Sequence, residues 1–297
     1  MATRLVERAA TETVPAEVGQ AAQAWYQLRR SPLALIGLAI LLLVLFTMVT
    51  APWIAPFDPY AINLRQRLLP PGPVHWFGTD EVGRDLFSRV LYGSRASCGT
   101  GFAIVGIAAS IGTVVGCLSG LVGRRADTVI MRLMDVVLAL PSLVLSIALA
   151  AALGPSLFNA MLAVAFVRIP FYVRLARGQA LSLRERNYVK VARTFGASPG
   201  YILFRHILPN ALAPIIVQAT LDLGGAILIA AALSFIGLGA QQPTAEWGAM
   251  ISTGRNFLLD QWWYPTFPGL AIVITAIGFN LCGDAVRDIL DPKLGSR

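Results

Sequence analysis

The chain is poor in charge, in histidine and above all in lysine, and each shortage removes a class of protein. Only 13% of its 297 residues are charged while 56% are hydrophobic, a balance outside the range of soluble globular domains that leaves a multi-span membrane protein. Lysine occurs only at Lys190 and Lys293, and neither ends a G-x-x-x-x-G-K-S/T loop, so ATP is not bound here in the P-loop manner. His75 and His206 stand far apart and outside any metal-ligand spacing, and no metal site is expected. The cysteines Cys98, Cys117 and Cys282 are odd in number and lie in or beside apolar runs, which favours packing over a disulfide framework. No nucleophile motif supports a membrane-embedded enzyme. The formal charge of +8 forms no basic stripe interleaved with aromatics, so nucleic acid is not expected as a partner. Outside the apolar runs there is no room for a separate binding domain, which needs about 50 contiguous residues.

What the chain does have is long apolar runs. Arg29-Arg30-Ser31-Pro32 supplies a basic flank, a helix cap and a first-position proline, so a cytosolic tail over 1–32 leads into a first transmembrane helix at 33–54. No signal-peptide cleavage site follows it. Five more runs, 99–122, 129–153, 157–175, 212–238 and 267–286, lie near the roughly 20 residues that a bilayer core requires. Six spans put both termini on one side. An outer segment then covers 55–97, a five-helix core 98–290 and a cytosolic C-terminus 291–297. The junction Leu153-Gly154-Pro155-Ser156 is short enough to make spans three and four a hairpin. Arg and Lys concentrate in the segments that an N-inside arrangement makes cytosolic, from Arg124, Arg125, Arg174 and Arg177 to Arg287 and Lys293, and the positive-inside rule therefore selects that arrangement.

Within the spans, Gly112, Gly116 and Gly120 recur every four residues, a stripe that lets a helix of this or another chain approach closely. Arg132 and Asp135 are spaced to neutralise each other in span three. Asp222, followed by Gly224-Gly225 in an otherwise apolar helix, either lines a pathway and meets a substrate amine or pairs with a base such as Arg168. In the outer segment, Thr79 or Asp80 would cap a short surface helix carrying Asp80/Arg84 and Asp85/Arg89 pairs. Between 239 and 266, Trp247, Trp262, Trp263 and Tyr264 suit an interfacial aromatic belt, while Glu246 and Asp260 could face a docking protein.

The stretch Arg184 to Asn210 differs from everything around it. Tyr188, Val191, Ala192 and Phe195 share one face of a short helix, with Lys190, Arg193 and Thr194 turned away. Gly196 stops that helix. Ser198 and Pro199 then cap and start a second one, expected to run until Pro209 ends it. The result is a basic, amphipathic helix-break-helix elbow, suited either to lipid headgroups or to a protein cleft.

The Val191-Ala192 pair, Gly196 four residues after Ala192, and Leu208-Pro209 resemble the EAA loop of ABC importer permeases, and HILPN at 206–210 is similar to its peptide-importer branch. Two positions depart: Lys190 stands where the family usually has Glu, and Val191 replaces the first Ala. The Gly78-Thr79-Asp80 to Arg95 signature and the 239–266 segment resemble the same family, so the likeness covers about residues 30–292.

This resemblance implies an all-α membrane protein with six transmembrane helices and a cytosolic coupling-helix elbow, of the type I permease kind. The elbow would comprise Tyr188, Lys190, Val191, Ala192, Phe195, Gly196, Ala197, Pro199, His206, Leu208 and Pro209. It further implies a second permease subunit, two nucleotide-binding ATPase subunits that carry ATP and Mg, and an external substrate-binding protein, all at a lipid-embedded bacterial inner membrane. The cargo would be dipeptides or short oligopeptides, or alternatively nickel chelates, glutathione or another peptide-like solute. An ATP-independent channel or ion-coupled transporter usually shows a polar filter or a carboxylate relay, for which Asp222 alone is poor support.

Overall fold

A computed structural model describes residues 31–290, apart from the side chains of residues 124, 289 and 290. Of the expected tails at 1–32 and 291–297, residues 1–30 and 291–297 lie outside this range. The helices are α1 (Pro32–Ile54), α2 (Leu86–Val122), α3 (Arg124–Leu138), α4 (Ser142–Leu153), α5 (Leu157–Arg184), α6 (Asn187–Thr194), α7 (Pro199–Ile202), α8 (Leu208–Ile236), α9 (Trp247–Gly254) and α10 (Trp263–Leu290). Five among the described residues are long and apolar enough to cross a membrane, and the bent pair α3–α4 passes the same test as one broken span or a re-entrant loop, for five or six crossings in all.

The run expected as one span over 129–153 is not one continuous helix. It bends by 89° instead, because Pro141 offers no amide to a continuing helix and disfavours helical backbone at Leu140. The segment before the break is amphipathic, and its acids reach sideways. Asp127 accepts from Arg177 Nε and Nη2 at 2.5 and 2.7 Å and from Ser119 Oγ at 2.6 Å, while Asp135 accepts from Arg174 Nη2 at 2.6 Å. The Arg132–Asp135 pair does not form: basic-before-acidic is the weaker order along a helix, and α5 supplies a better-placed guanidinium.

α2 and α5 form the most extensive helix pair. Their seam is the glycine stripe: a Cβ on Gly112 would sit 2.4 Å from Tyr172 Cβ, one on Gly116 2.3 Å from Val173 O, and one on Gly120 2.8 Å from Ala180 Cβ. The stripe therefore serves packing within this chain. α8 packs on α10, α2 and α5, and α1 closes the other side against α10 and α2.

One end of the bundle is a dense polar layer. The short helix expected from Thr79 or Asp80 is replaced by a turn, because the Asp80 carboxylate accepts the Val82 and Arg84 amides at 3.0 and 2.9 Å together with the Arg84 side chain. Asp85 instead caps α2 through Ser88 N at 2.7 Å, and its other oxygen lies 2.9 Å from His75 Nδ1. Arg89 thus makes no pair with Asp85 and donates to Pro59 O at 2.9 Å.

The aromatic belt is also corrected. Trp247, Trp263 and Tyr264 are buried, and only Trp262 of the four is exposed. Trp247 Nε1 donates to Val90 O at 2.9 Å and Tyr264 donates to Glu81, so these polar tips are satisfied inside the protein rather than at headgroups.

Glu246 is likewise not a docking residue. It is buried, caps α9 by accepting from Gly248 N and Ala249 N at 3.0 and 2.8 Å, and holds Ser97 Oγ at 3.1 Å. Burial pushes its carboxyl above the usual carboxylate range. Glu246→Ala leaves those buried donors unmet and is expected to cost about 2 kcal/mol, seen as a lower melting temperature of the purified protein; an unchanged melt would contradict this role.

Candidate functional site: an exposed elbow and a half-buried ion pair

At the opposite end of the bundle α5 runs to Arg184, well past the expected 175, and hands the chain to the elbow. Arg186 N and Val189 N close the turn on Leu183 O and Arg186 O, both at 3.0 Å. α6 then ends at Phe195, where the Gly196 amide bonds Arg193 O and the Ala197 amide bonds Ala192 O, both at 3.0 Å, with Gly196 at φ +81°. This is a Schellman stop, and its left-handed residue is the expected glycine.

Ser198 Oγ accepts from Tyr201 N at 3.2 Å and caps α7, with Pro199 at its start. Pro209 does not end the second helix. The chain passes through a π-helical turn, Leu203–Ile207, straight into α8. Pro209 sits in the first turn of α8, and the wider turn before it absorbs the missing amide and the ring's bulk.

The elbow is anchored by residues the spacing did not single out. Val189, Ile202, Leu203 and Ile207 are buried, whereas Tyr188, Val191 and Phe195 of the expected apolar face are exposed, along with Tyr201 and Phe204. Phe195 is 87% exposed, too much for a side chain whose role is to hold the fold. Ala192, Ala197, His206 and Leu208 are intermediate, and Pro199 and Pro209 are exposed. His206 bridges the two halves, its ring centroid 5.9 Å from Tyr188 and 5.5 Å from Tyr201. Lys190 points outward and lies 3.2 Å from Glu185, and its ammonium holds the Glu185 carboxyl below the usual carboxylate range.

Asp222 lies far from the elbow along α8. It pairs with Arg168 of α5 and accepts from Tyr172 Oη at 3.1 Å, and it lines a cavity of about 260 Å³ with Arg168. Of the two readings left open for Asp222, the pairing with Arg168 forms. Nothing in the sequence spacing singles out Tyr172. The Gly224-Gly225 pair was the usable signal: a Cβ on Gly225 would stand 3.3 Å from Arg168 Nη2, so that glycine clears space for the guanidinium.

A helical bundle with five or six membrane crossings, an exposed amphipathic elbow at one end and a polar pair between its helices is the architecture of a polytopic permease. The family described as binding-protein-dependent transport system inner membrane component matches residues 112–296, and the N-terminal TM domain of oligopeptide transport permease C matches residues 19–71. The chain is 63% identical over 272 residues to a probable D,D-dipeptide transport system permease protein of Escherichia coli, covering 92% of this chain and 91% of that one. It is 47% identical over 274 residues to a dipeptide transport system permease protein of Alkalihalophilus pseudofirmus, covering 92% and 90%. A di/tripeptide transport system permease protein of Pseudomonas aeruginosa is 45% identical over 277 residues, covering 91% of each.

The chain belongs to the binding-protein-dependent transport system inner membrane component family. It is thus a multi-pass membrane permease, of a family that is not itself catalytic, working as one part of a larger transporter.

Proposed function

We infer that this chain is one of two membrane subunits of an ATP-driven importer for dipeptides and short oligopeptides. The observation that carries the reading is the elbow: five exposed aromatic and aliphatic side chains, Tyr188, Val191, Phe195, Tyr201 and Phe204, on a scaffold held by four buried ones. Large apolar side chains left exposed on one short segment suit a protein interaction site. With no P-loop in the chain, the partner it suits is a separate nucleotide-binding subunit, of which two would carry ATP and Mg. The peptide cargo is supported by the names of the relatives above, and an external binding protein would deliver it.

The elbow end is also where the base-rich segments collect, Arg125, Arg174, Arg177, Arg184, Arg186, Lys190, Arg193 and Arg205 among them, which supports a cytosolic elbow and cytosolic termini in the bacterial inner membrane. Closing of the ATP-bound pair would move the elbow and with it α5 and α8, which leave it on either side. Energy passes only if the closed and open states differ in elbow contacts. Reconstitution in proteoliposomes is the test: dipeptide uptake is expected to require ATP, the partner permease, the ATPases and the binding protein together. Uptake by this chain alone without ATP would overturn the reading.

A further inference from the structure

The Arg168–Asp222 pair lies near the middle of two membrane-spanning helices, and stability explains its presence poorly. Desolvating both charges cancels most of what their attraction returns, and apolar replacements of similar volume often serve a fold as well. Intramembrane ionisable side chains usually mark a pathway, and here three further observations agree. The pair does not seal the space beside it but lines the 260 Å³ cavity, whose wall also carries Ser142, Ser146, Phe171 and Ile229. Arg168 Nε is buried without a partner, so the guanidinium retains an unused donor. Ser142 opens α4 just after the Pro141 break, and that first turn has no side-chain cap. Interrupted helices whose free amides border a midplane cavity suit the anionic end of a solute.

Resting on the importer reading above, we propose that this pair is a recognition site for the two free termini of a short peptide in transit. The peptide ammonium takes the Asp222 carboxylate, its carboxylate takes the Arg168 guanidinium, and Tyr172 Oη keeps Asp222 oriented. The exchange conserves charge: one ion pair opens and two form, so no unpaired charge is left in the interior at either stage. Two fixed charges of opposite sign on facing helices reject amines, acids and capped peptides, each of which would leave one partner bare. A neutral solute would find the pair closed on itself. The cavity is below the roughly 300–1,000 Å³ of drug-sized pockets, which suits a cargo of about two residues.

Saturation-transfer NMR tests this on the assembled permease–ATPase complex in nanodiscs, without the binding protein, so that its selection does not enter. The probes are L-alanyl-L-alanine, its N-acetyl derivative and its C-terminal amide. Transfer to the free dipeptide is expected to exceed that to either capped form about ten-fold, the effect of losing one charge-assisted contact. In Asp222→Asn the preference for the free amine should disappear while the preference for the free carboxylate persists; Arg168→Gln should do the reverse. Equal transfer to free and capped dipeptides by the wild-type complex, or none at all, would overturn the proposal without reference to any variant's folding. If such a complex still imports dipeptide with ATP and the binding protein, only the terminal-recognition site fails; if it does not, the importer reading fails with it.

Discussion

A Gly196→Val permease is expected to assemble with its partners yet lose about nine-tenths or more of its ATP-driven peptide uptake. The argument is confined to the backbone. Gly196 sits at φ +81°, where a β-branched residue is a genuine outlier and the left-handed conformation costs roughly 1–2 kcal/mol even before branching is added. No atom lies within 4 Å of where its Cβ would be, so nothing is pushed aside, and a loss of function cannot be blamed on crowding. What changes is the angle between α6 and α7, fixed by the two amide bonds at Gly196 and Ala197. Asn, which tolerates the left-handed region, should do least harm, Ala more and Val most. Uptake and binding-protein-stimulated ATP hydrolysis are read together, with assembly followed by size-exclusion chromatography. Full coupling in the valine variant would sink the elbow's role as the transmitting element.

The second large effect is structural and lies on the α2–α5 seam. Gly116→Val should prevent accumulation of a folded permease, because the first carbon added already falls 2.3 Å from Val173 O and 2.8 Å from Ala176 Cβ. Neither is the far end of a flexible side chain. The helices must separate, at an expected cost of about 3 kcal/mol or more. Gly99 and Gly106 on the same helix have open space where a Cβ would go, and Gly99→Ala or Gly106→Ala should be neutral or mildly stabilising through helix propensity. Fluorescence-detected size-exclusion chromatography of detergent extracts separates the cases. A normal monodisperse peak for Gly116→Val would show that the seam is looser than its geometry.

The sequence made some of this legible and hid the rest for identifiable reasons. Apolar length located the crossings, and Ser31-Pro32, Gly196 and Ser198-Pro199 marked real helix boundaries because caps and left-handed stops are local chemistry. Pro209 shows the limit of local rules: the same residue that ends a helix is welcome in its first turn, and nothing in the sequence tells which applies. The break at Pro141 does not show in hydropathy, which is continuous across 129–153.

Charge pairing was the least legible feature. Asp127 and Asp135 have their partners 50 and 39 residues away, so nearest-neighbour spacing named the wrong arginine for Asp135. Amphipathic aromatics such as Trp247 and Tyr264 serve equally at a headgroup interface or in a core with polar partners, and composition cannot divide the two. On the elbow the face expected at Tyr188, Val191, Ala192 and Phe195 does not pack inward: Tyr188, Val191 and Phe195 are exposed, and burial falls on Val189. Helical periodicity marks an apolar face without telling whether that face packs on the protein's own core or stays exposed.

The exposure of Phe195, Tyr201 and Phe204 also constrains how the transporter is made. A copy synthesised without its partners presents aromatic side chains directly to water, and that surface attracts other unpaired copies, chaperones and membrane proteases alike. On the reading proposed above, in which an ATPase subunit covers the elbow, surplus chains would be the vulnerable ones and the level of this permease would follow that of the subunit that covers it.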